Sequence, residues 1–346
     1  MSGRVRLLLR PGLYVYLVRR WFEFLRQLAR DYANHRPLPA HRLQVGAGAN
    51  IGKRVILGVE AGIGESDPAR FEIGERAYIE DGAELGLIPG ARLVIGRNTS
   101  IHRGCVILGN VRIGANCIFS YNIYAATGMH VIRERPSWLI KDQDDAFATE
   151  RLGETVWIDD DVWIGWGVYI RSGSHVGRGA VIGANAAVMS DVEPYAIYAG
   201  APARKIGQRL DFAPPREIDA MDDACLPYFY SGFRDDQSSL GSSRTQGAIR
   251  LAGAAQIVLG AASAGSAVIR GLVDAGKQPV SLRVSLGGKQ LAEERLGVGP
   301  FELTMPVQRA EANDLPPLLR AYTVLGLDAG ADAPRVAIRS AALGGG

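Results

Sequence analysis

The candidate for acid–base chemistry in this chain is a histidine that lies outside the regular segments. Of the five histidines, His35 and His41 come early in the chain, and His102 and His175 fall within a regular central pattern. His130 lies in an irregular stretch, the kind of segment that often carries binding and catalytic residues. Because an imidazole accepts a proton near neutral pH, His130 is suited to act as a general base.

The three cysteines do not form a pattern that would bind zinc or build a disulfide framework. Cys105, Cys117 and Cys225 are few and scattered, which is typical of a reduced, cytoplasmic protein. Cys105 and Cys117 take positions that small inward-pointing residues occupy elsewhere in the central pattern, so we interpret them as packing residues rather than nucleophiles. We therefore expect no metal to be required.

A six-residue repeat fills the middle of the chain and must position His130. Large apolar residues, many of them followed by glycine, recur at every sixth position over residues 45–64, 73–85, 95–125 and 158–188. A small or branched residue precedes each of these anchors by two positions, and alternate residues of a strand share a face. Three such strands to a coil would build a triangular prism of about six coils. A β-sandwich with chance periodicity is the alternative interpretation.

This pattern resembles that of the hexapeptide-repeat acyltransferases, whose fold is a left-handed parallel β-helix. The resemblance covers residues 43–206 and is most specific over residues 160–165 and 199–206. It implies a mainly β fold class and a homotrimer with active sites between subunits. The long break in the repeat between Ala125 and Val156 is then a loop on one side of the prism, where binding faces often form.

The same resemblance implies the roles of individual residues. His130 matches the catalytic base, Asn122 a contact to the acceptor or the oxyanion, and Trp163 a residue beside the acceptor. For Trp163, burial in a trimer interface is the alternative. The acyl donor implied is acetyl-CoA, lying along the outside of the last coils. The positions that match its binding groove are Gly165, Trp166, Gly183, Ala184, Ala201, Arg204 and Lys205.

The N-terminal segment is strongly basic and predicts an amphipathic helix from Leu13 to Ala33. Residues 1–44 carry nine arginines and two acidic residues, whereas the whole chain has a formal net charge of only +3. The rest of the chain is therefore slightly acidic, which argues against a nucleic-acid-binding protein. Two interpretations of the helix stay open: a cap on the open end of the prism, or peripheral contact with an anionic membrane surface at the inner face of the cell membrane.

The repeat divides the chain into four predicted parts. They are a helical cap at residues 1–42, the β-helix at 43–206, a connector at 207–243 with a short helix from Glu217 to Cys225, and a module at 244–346. Short alternating strands in the last part predict an antiparallel β-sandwich or jelly roll. Glycan binding and a plain assembly role are both open for this module.

Taken together, these features lead us to expect an acetyl-CoA-dependent O-acetyltransferase with a glycan acceptor. The acceptor would be a sugar hydroxyl of a bacterial surface polysaccharide or its precursor, with His130 as general base and direct transfer. The alternative is an N-acyltransferase of a nucleotide-linked amino sugar. A β-helix zinc enzyme would need three converging histidines, and only His102 and His130 are placed for that. A scaffold without catalysis also remains open.

Overall fold

The computed structural model describes Trp21 and residues 39–59, 63–128, 130–147, 153–233, 244–245, 248–262, 264–276, 278–308, 315 and 317–344. The helix predicted from Leu13 to Ala33 lies outside these residues except for Trp21, which is helical and exposed. Among the described residues, no helix has the length and apolar character needed to cross a membrane.

The described residues between 43 and 208 form a left-handed parallel β-helix with three faces. The first face contains β1 (Leu43–Val45), β4 (Arg70–Ile73), β7 (Arg92–Ile95), β10 (Val111–Ile113), β13 (Val156–Ile158) and β16 (His175–Val176). The second contains β2 (Asn50–Ile51), β5 (Tyr78–Ile79), β8 (Ser100–Ile101), β11 (Ile118–Phe119), β14 (Trp163–Ile164), β17 (Val181–Ile182), β19 (Ala196–Ala199) and an antiparallel final strand, β20 (Arg204–Gln208). The third contains β3 (Ile56–Val59), β6 (Glu84–Leu87), β9 (Val106–Leu108), β12 (Tyr124–Ala126), β15 (Tyr169–Ile170) and β18 (Ala187–Val188).

The six-residue spacing produces this fold because equivalent residues of successive coils stack directly. On the second face, Ile101 pairs with Phe119 and Phe119 with Ile164, and all three side chains are fully buried. Cys105 and Cys117 are also buried within the prism, as expected of packing residues. Burial raises the pKa of the Cys105 thiol to about 11, which keeps it protonated and unreactive at neutral pH.

The break in the repeat is a loop at one edge of the prism. The chain leaves the third face at the end of β12 and returns to the first face at β13. Within this insertion lies α1 (Ile140–Ala146), a helix of seven residues. The predicted placement of the insertion on one side of the prism is confirmed, because the coils before and after it pair in register, Arg112 with Trp157.

The described residues between 217 and 344 build an antiparallel β-sandwich. Its strands are β21 (Glu217–Asp219), β22 (Phe229–Phe233), β23 (Arg244–Thr245), β24 (Ala248–Leu259), β25 (Ala264–Val273), β26 (Val280–Leu286), β27 (Lys289–Leu296), β28 (Gly299–Gln308), β29 (Thr323–Asp328) and β30 (Val336–Gly344). Short 3-10 helices lie at Ala40–Arg42, Asp223–Tyr228, Pro317–Leu319 and Gly330–Arg335. The long strand β24 pairs with β30 near its start and with β29 near its end, so it joins two layers that share one apolar core.

The helix predicted from Glu217 to Cys225 is wrong. Residues Glu217–Asp219 are strand β21, paired antiparallel with β30, and the 3-10 helix begins only at Asp223. Ile218 is fully buried in the core of the sandwich. Burial of that side chain against a strand more than a hundred residues away overrides the local preference for a helix. The sheet thus starts inside the segment predicted as a connector.

A buried polar network connects the prism to the sandwich. The hydroxyl of Tyr230 on β22 donates a hydrogen bond to Oδ2 of Asp159 at 2.5 Å. Nε2 of His175 lies 2.8 Å from the same oxygen, and the His175 side chain is completely buried. Arg178 donates its backbone N–H to the Tyr230 hydroxyl at 3.1 Å. We call this contact between the prism and β22 the seam. It covers His175, an outward-pointing histidine that a β-helix alone would expose.

Beside this seam, the buried carboxyl of Asp160 should make the stability of the protein depend measurably on pH. Burial raises the pKa of Asp160 from 3.8 to about 6, partly opposed by Arg178. The folded state then holds the proton more tightly than the unfolded state, so this contribution to stability is present below pH 4 and lost as the pH rises through 6. Relative to Asp160→Asn, we expect the wild-type free energy of unfolding to fall by about 1–3 kcal/mol from pH 4 to pH 7.

Urea unfolding of both proteins across this pH range measures the difference. The control is Asp161→Asn, because Asp161 is half-exposed, pairs with Arg209 at 3.3 Å, and has a positive φ of 60° that asparagine tolerates. The free energy of unfolding of this control should change with pH in the same way as that of the wild type. A difference between wild type and Asp160→Asn that stays constant with pH would contradict the expected burial effect.

Candidate active site

His130 lies at the edge between the third and first faces of the prism. It follows β12 by four residues and stands at the start of the insertion. Its side chain is 73% exposed, so a ligand can reach the ring from solvent. The backbone of β12 is held in register by β9 and β15 on either side, which gives the start of the loop a rigid base.

A carboxylate from α1 holds the imidazole of His130. Nδ1 of His130 donates to Oδ2 of Asp144, and the backbone N–H of Val131 donates to Oδ1 of the same side chain at 2.7 Å. The Asp144 side chain is only 11% exposed. A carboxylate accepts hydrogen bonds but has none to donate, so this contact places the ring proton on Nδ1 and directs the lone pair of Nε2 outward. That is the tautomer a general base needs.

The neighbouring residue on α1 fixes the rest of the loop. Gln143 is almost fully buried, and its Oε1 accepts a hydrogen bond from the backbone N–H of Arg135 at 2.9 Å. Its Nε2 lies 3.4 Å from the carbonyl of Trp138. Consecutive side chains of one short helix therefore hold both ends of the preceding loop, Asp144 at His130 and Gln143 at Arg135. Residues 130–147 of the insertion are therefore a folded element around the histidine.

A second predicted group of residues lines a different edge of the prism, between the second and third faces. Gly165 and Trp166 form the corner after β14, and Gly183 and Ala184 form the corner after β17. The corners stack, since the N–H of Asn185 donates to the carbonyl of Trp166 at 2.7 Å. A Cβ at Gly165 would lie 2.6 Å from the backbone nitrogen of Ala184, so glycine is required there. We call this line of corners the donor edge.

Asn122 belongs to the donor edge and not to the surroundings of His130. It forms the corner before β12 with a positive φ of 59°, a conformation that asparagine adopts more readily than most residues. The whole strand β12 separates it from His130, so one chain does not bring the two together. Trp163 points outward from the second face with 51% of its surface exposed. The predicted acceptor contacts of Asn122 and Trp163 remain predictions.

The remaining predicted donor residues follow the last coil. The segment from Ala201 to Arg204 returns to β18, where the N–H of Ala203 donates to the carbonyl of Ala187 at 2.8 Å. Ala201, Arg204 and Lys205 are exposed. Nζ of Lys205 pairs with Oε2 of Glu193 at 2.6 Å, and this hydrogen bond raises the pKa of Lys205. Arg204 is therefore better placed than Lys205 to meet a phosphate.

The other central histidines have structural partners. Nδ1 of His102 lies 2.6 Å from the carbonyl oxygen of Phe119, and His175 is buried in the seam with the sandwich. Within the described residues, no three histidine, cysteine or acidic side chains come together in a way that could hold a metal ion. Asp144 was missed in the sequence because only the fold-back of α1 brings it to His130.

Comparison with known proteins matches the repeat. The family described as bacterial transferase hexapeptide (six repeats) matches residues 92–122. A hexapeptide-repeat-containing acetyltransferase from Vibrio cholerae is 26% identical over 40% of this chain and 74% of its own, with a TM-score of 0.34. A polysialic acid O-acetyltransferase is 18% identical over 49% and 90%, with a TM-score of 0.36. No curated protein matches this sequence.

A third structure is an N-acyltransferase from Bacillus cereus in complex with dTDP-4-amino-4,6-dideoxyglucose and coenzyme A. It is 19% identical over 48% of this chain and 84% of its own, with a TM-score of 0.31. Because all three TM-scores are low, none of these likenesses by itself supports a shared activity. The family match lies inside the β-helix, and the same coil continues on both sides of it. Residues 92–122 thus match the bacterial transferase hexapeptide family, and the parallel coils on either side of them repeat the same pairing.

Proposed function

We propose that this protein is an acetyl-CoA-dependent O-acetyltransferase that acts on a sugar hydroxyl of a bacterial surface polysaccharide or its precursor. The observation that carries the proposal is the pairing of an exposed His130 with the nearly buried Asp144 at an edge of a hexapeptide-repeat prism. The pairing supplies an oriented general base, and the repeat belongs to a transferase family. An acetyl transfer to a hydroxyl needs such a base.

In the proposed reaction, Nε2 of His130 removes the proton of the acceptor hydroxyl while its oxygen attacks the thioester carbonyl carbon. The new C–O bond creates a tetrahedral oxyanion, for which backbone N–H groups or the amide of Asn122 on the donor edge of a neighbouring copy are candidate donors. The C–S bond then breaks, and the imidazolium returns its proton to the departing thiolate of CoA. Asp144 stabilises the imidazolium through Nδ1 and remains ionised throughout.

The donor edge would hold acetyl-CoA along the last coils. Glycine and alanine at these corners leave room against the backbone, and the half-exposed indole of Trp166 offers a flat apolar surface. The exposed guanidinium of Arg204 is suited to phosphate. His130 and the donor edge lie at opposite ends of the third face, so a neighbouring copy must bring them together. This separation supports a homotrimer with active sites between subunits.

The decisive experiment supplies acetyl-CoA and de-O-acetylated surface polysaccharide from the source cell to the purified protein. We expect release of CoA together with new O-acetyl signals at one sugar position in the NMR spectrum. The parallel reaction contains UDP- and dTDP-linked amino sugars. Acetylation of these amines without polysaccharide modification would identify the N-acyltransferase alternative. No CoA release with either acceptor class would contradict the enzyme assignment and favour a scaffold.

A further inference from the structure

The sandwich contains a cleft that the proposed acetyl transfer does not use. It has a volume of about 320 Å³ and opens on the outer surface of the layer formed by β24, β29, β26 and β27. All its lining residues belong to the C-terminal module. The cleft is therefore a separate feature from the His130 site and the donor edge of the prism.

A cross-strand row of polar positions forms the floor of this cleft. Gln256 pairs with Gly326, Gly326 with Ser285, and Ser285 with Gln290, so the row crosses four neighbouring strands. The adjacent residues Val284 and Leu327 are buried in the sandwich core. Because side chains alternate along a strand, the polar row must face the outside. The outer face here presents amide and hydroxyl groups.

Gly326 at the centre of the row leaves room for the side chain of Ser285. A Cβ added to Gly326 would lie 2.3 Å from Oγ of Ser285, so a side chain there would collide with the row. The hydroxyl of Ser285 therefore occupies the space above Gly326 and forms part of the cleft floor. The amides of Gln256 and Gln290 lie on either side of Gly326 and Ser285. Oε1 of Gln256 accepts a hydrogen bond from the hydroxyl of Ser231 at 3.0 Å, which leaves its NH₂ group to donate.

An ion pair closes one end of the cleft and balances its charge. Arg283 on β26 and Asp328 on β29 are cross-strand partners, with Nη2 and Oδ2 2.5 Å apart, and both side chains are partly exposed. The pair presents donors and acceptors side by side without net charge. A phosphate or a nucleic acid would gain little here, because the guanidinium is already paired with a carboxylate.

We propose that this cleft binds a sugar unit of a glycan chain. Vicinal hydroxyls of a pyranose each donate and accept hydrogen bonds, and the amides, hydroxyl and ion pair offer both kinds of partner. None of the described residues that line the cleft is aromatic, so the binding of one unit is weak and several copies in an oligomer would strengthen it. This function goes beyond acetyl transfer, since the module would hold a glycan whether or not the prism modifies it.

Saturation-transfer NMR on the full-length protein tests the proposal with four named probes at millimolar concentration. They are cellohexaose, maltohexaose, mannohexaose and the hexamer of α2,8-linked sialic acid. We expect saturation transfer from the protein to at least one of these oligosaccharides. The Kd for it should be about tenfold higher in the double variant Gln256→Ala/Gln290→Ala, since two neutral hydrogen-bonding groups are lost. Asp328→Asn should also weaken binding.

Matched controls keep the outcome specific to the cleft. Gln44→Ala removes an exposed amide from the prism, and Glu302→Gln breaks a comparable ion pair with Arg270 at 2.7 Å on β25 and β28. Both should bind like the wild type. The absence of saturation transfer to all four oligosaccharides would overturn the proposal. Equal affinities of the double variant and the wild type would also overturn it. His130→Ala should bind normally, so a failure of acetyl transfer and a failure of glycan binding are separable.

Discussion

Replacing His130 with alanine should lower kcat for acetyl transfer by about 10²–10⁴-fold, the usual contribution of a positioned general base. The KM for acetyl-CoA should change little, because the imidazole acts on the acceptor hydroxyl, whereas the corners of the donor edge and Arg204 would hold the donor. The side chain is 73% exposed, so the substitution leaves no cavity in the core. Initial rates of CoA release, measured with a thiol reagent, would give both constants.

His41→Ala is the matched control, because His41 is also exposed but precedes the first coil. It should retain wild-type rates. If His130→Ala kept more than about a tenth of the wild-type kcat, the loss would be below what a general base contributes. The proton would then have to be accepted elsewhere.

Asp144→Asn should lower kcat by about 10²-fold, because an asparagine amide at this position favours the wrong histidine tautomer. The amide can still accept the Val131 N–H through its oxygen, but its NH₂ group would face Nδ1 of His130 and donate to it. The ring proton then moves to Nε2, which can no longer accept the proton of the acceptor. Steady-state kinetics and a thermal melt on the same sample test this.

Asp145→Asn on the same helix is the control for charge loss. Asp145 is exposed and pairs with Lys141 at 3.1 Å, so its substitution should change neither kcat nor the melting temperature appreciably. We expect Asp144→Asn to lower kcat with an unchanged KM for acetyl-CoA and a nearly unchanged melting temperature. A parallel fall in stability and activity would instead assign Asp144 a purely structural role in the loop.

The prism was predictable from the sequence because its determinants are local and repeated. Each large inward-pointing residue, such as Ile101 or Phe119, packs against the equivalent residues of the coils directly before and after its own. Every six-residue repeat therefore carries the same signal for the fold, and a single irregular repeat does not hide that signal. The burial of Cys105 and Cys117 followed from the same period, because their positions in the repeat point inward.

The candidate site was predictable only in part. His130 was recognisable because it lies where the repeat is interrupted, and the corner positions of the donor edge were recognisable from the repeat. Asp144 was not, because its contact depends on how an irregular loop folds back and no periodicity describes that. His175 was read as an outward residue of a regular coil. The sandwich covers it through Tyr230, an interaction between segments 55 positions apart in the chain.

The sequence by itself determined the elements whose partners recur at a constant short spacing: the coils, their inward faces and the position of the loop. The tertiary structure decided everything that depends on a single distant contact. Strand β21 forms in place of a helix because β30 offers a partner and a buried site for Ile218. The cleft around Gly326 exists because β24, β29 and the hairpin of β26 and β27, which are distant from one another in the chain, align their polar positions. Contacts that repeat along the chain produce a periodic pattern that can be recognised in the sequence. A contact that occurs once produces no such pattern.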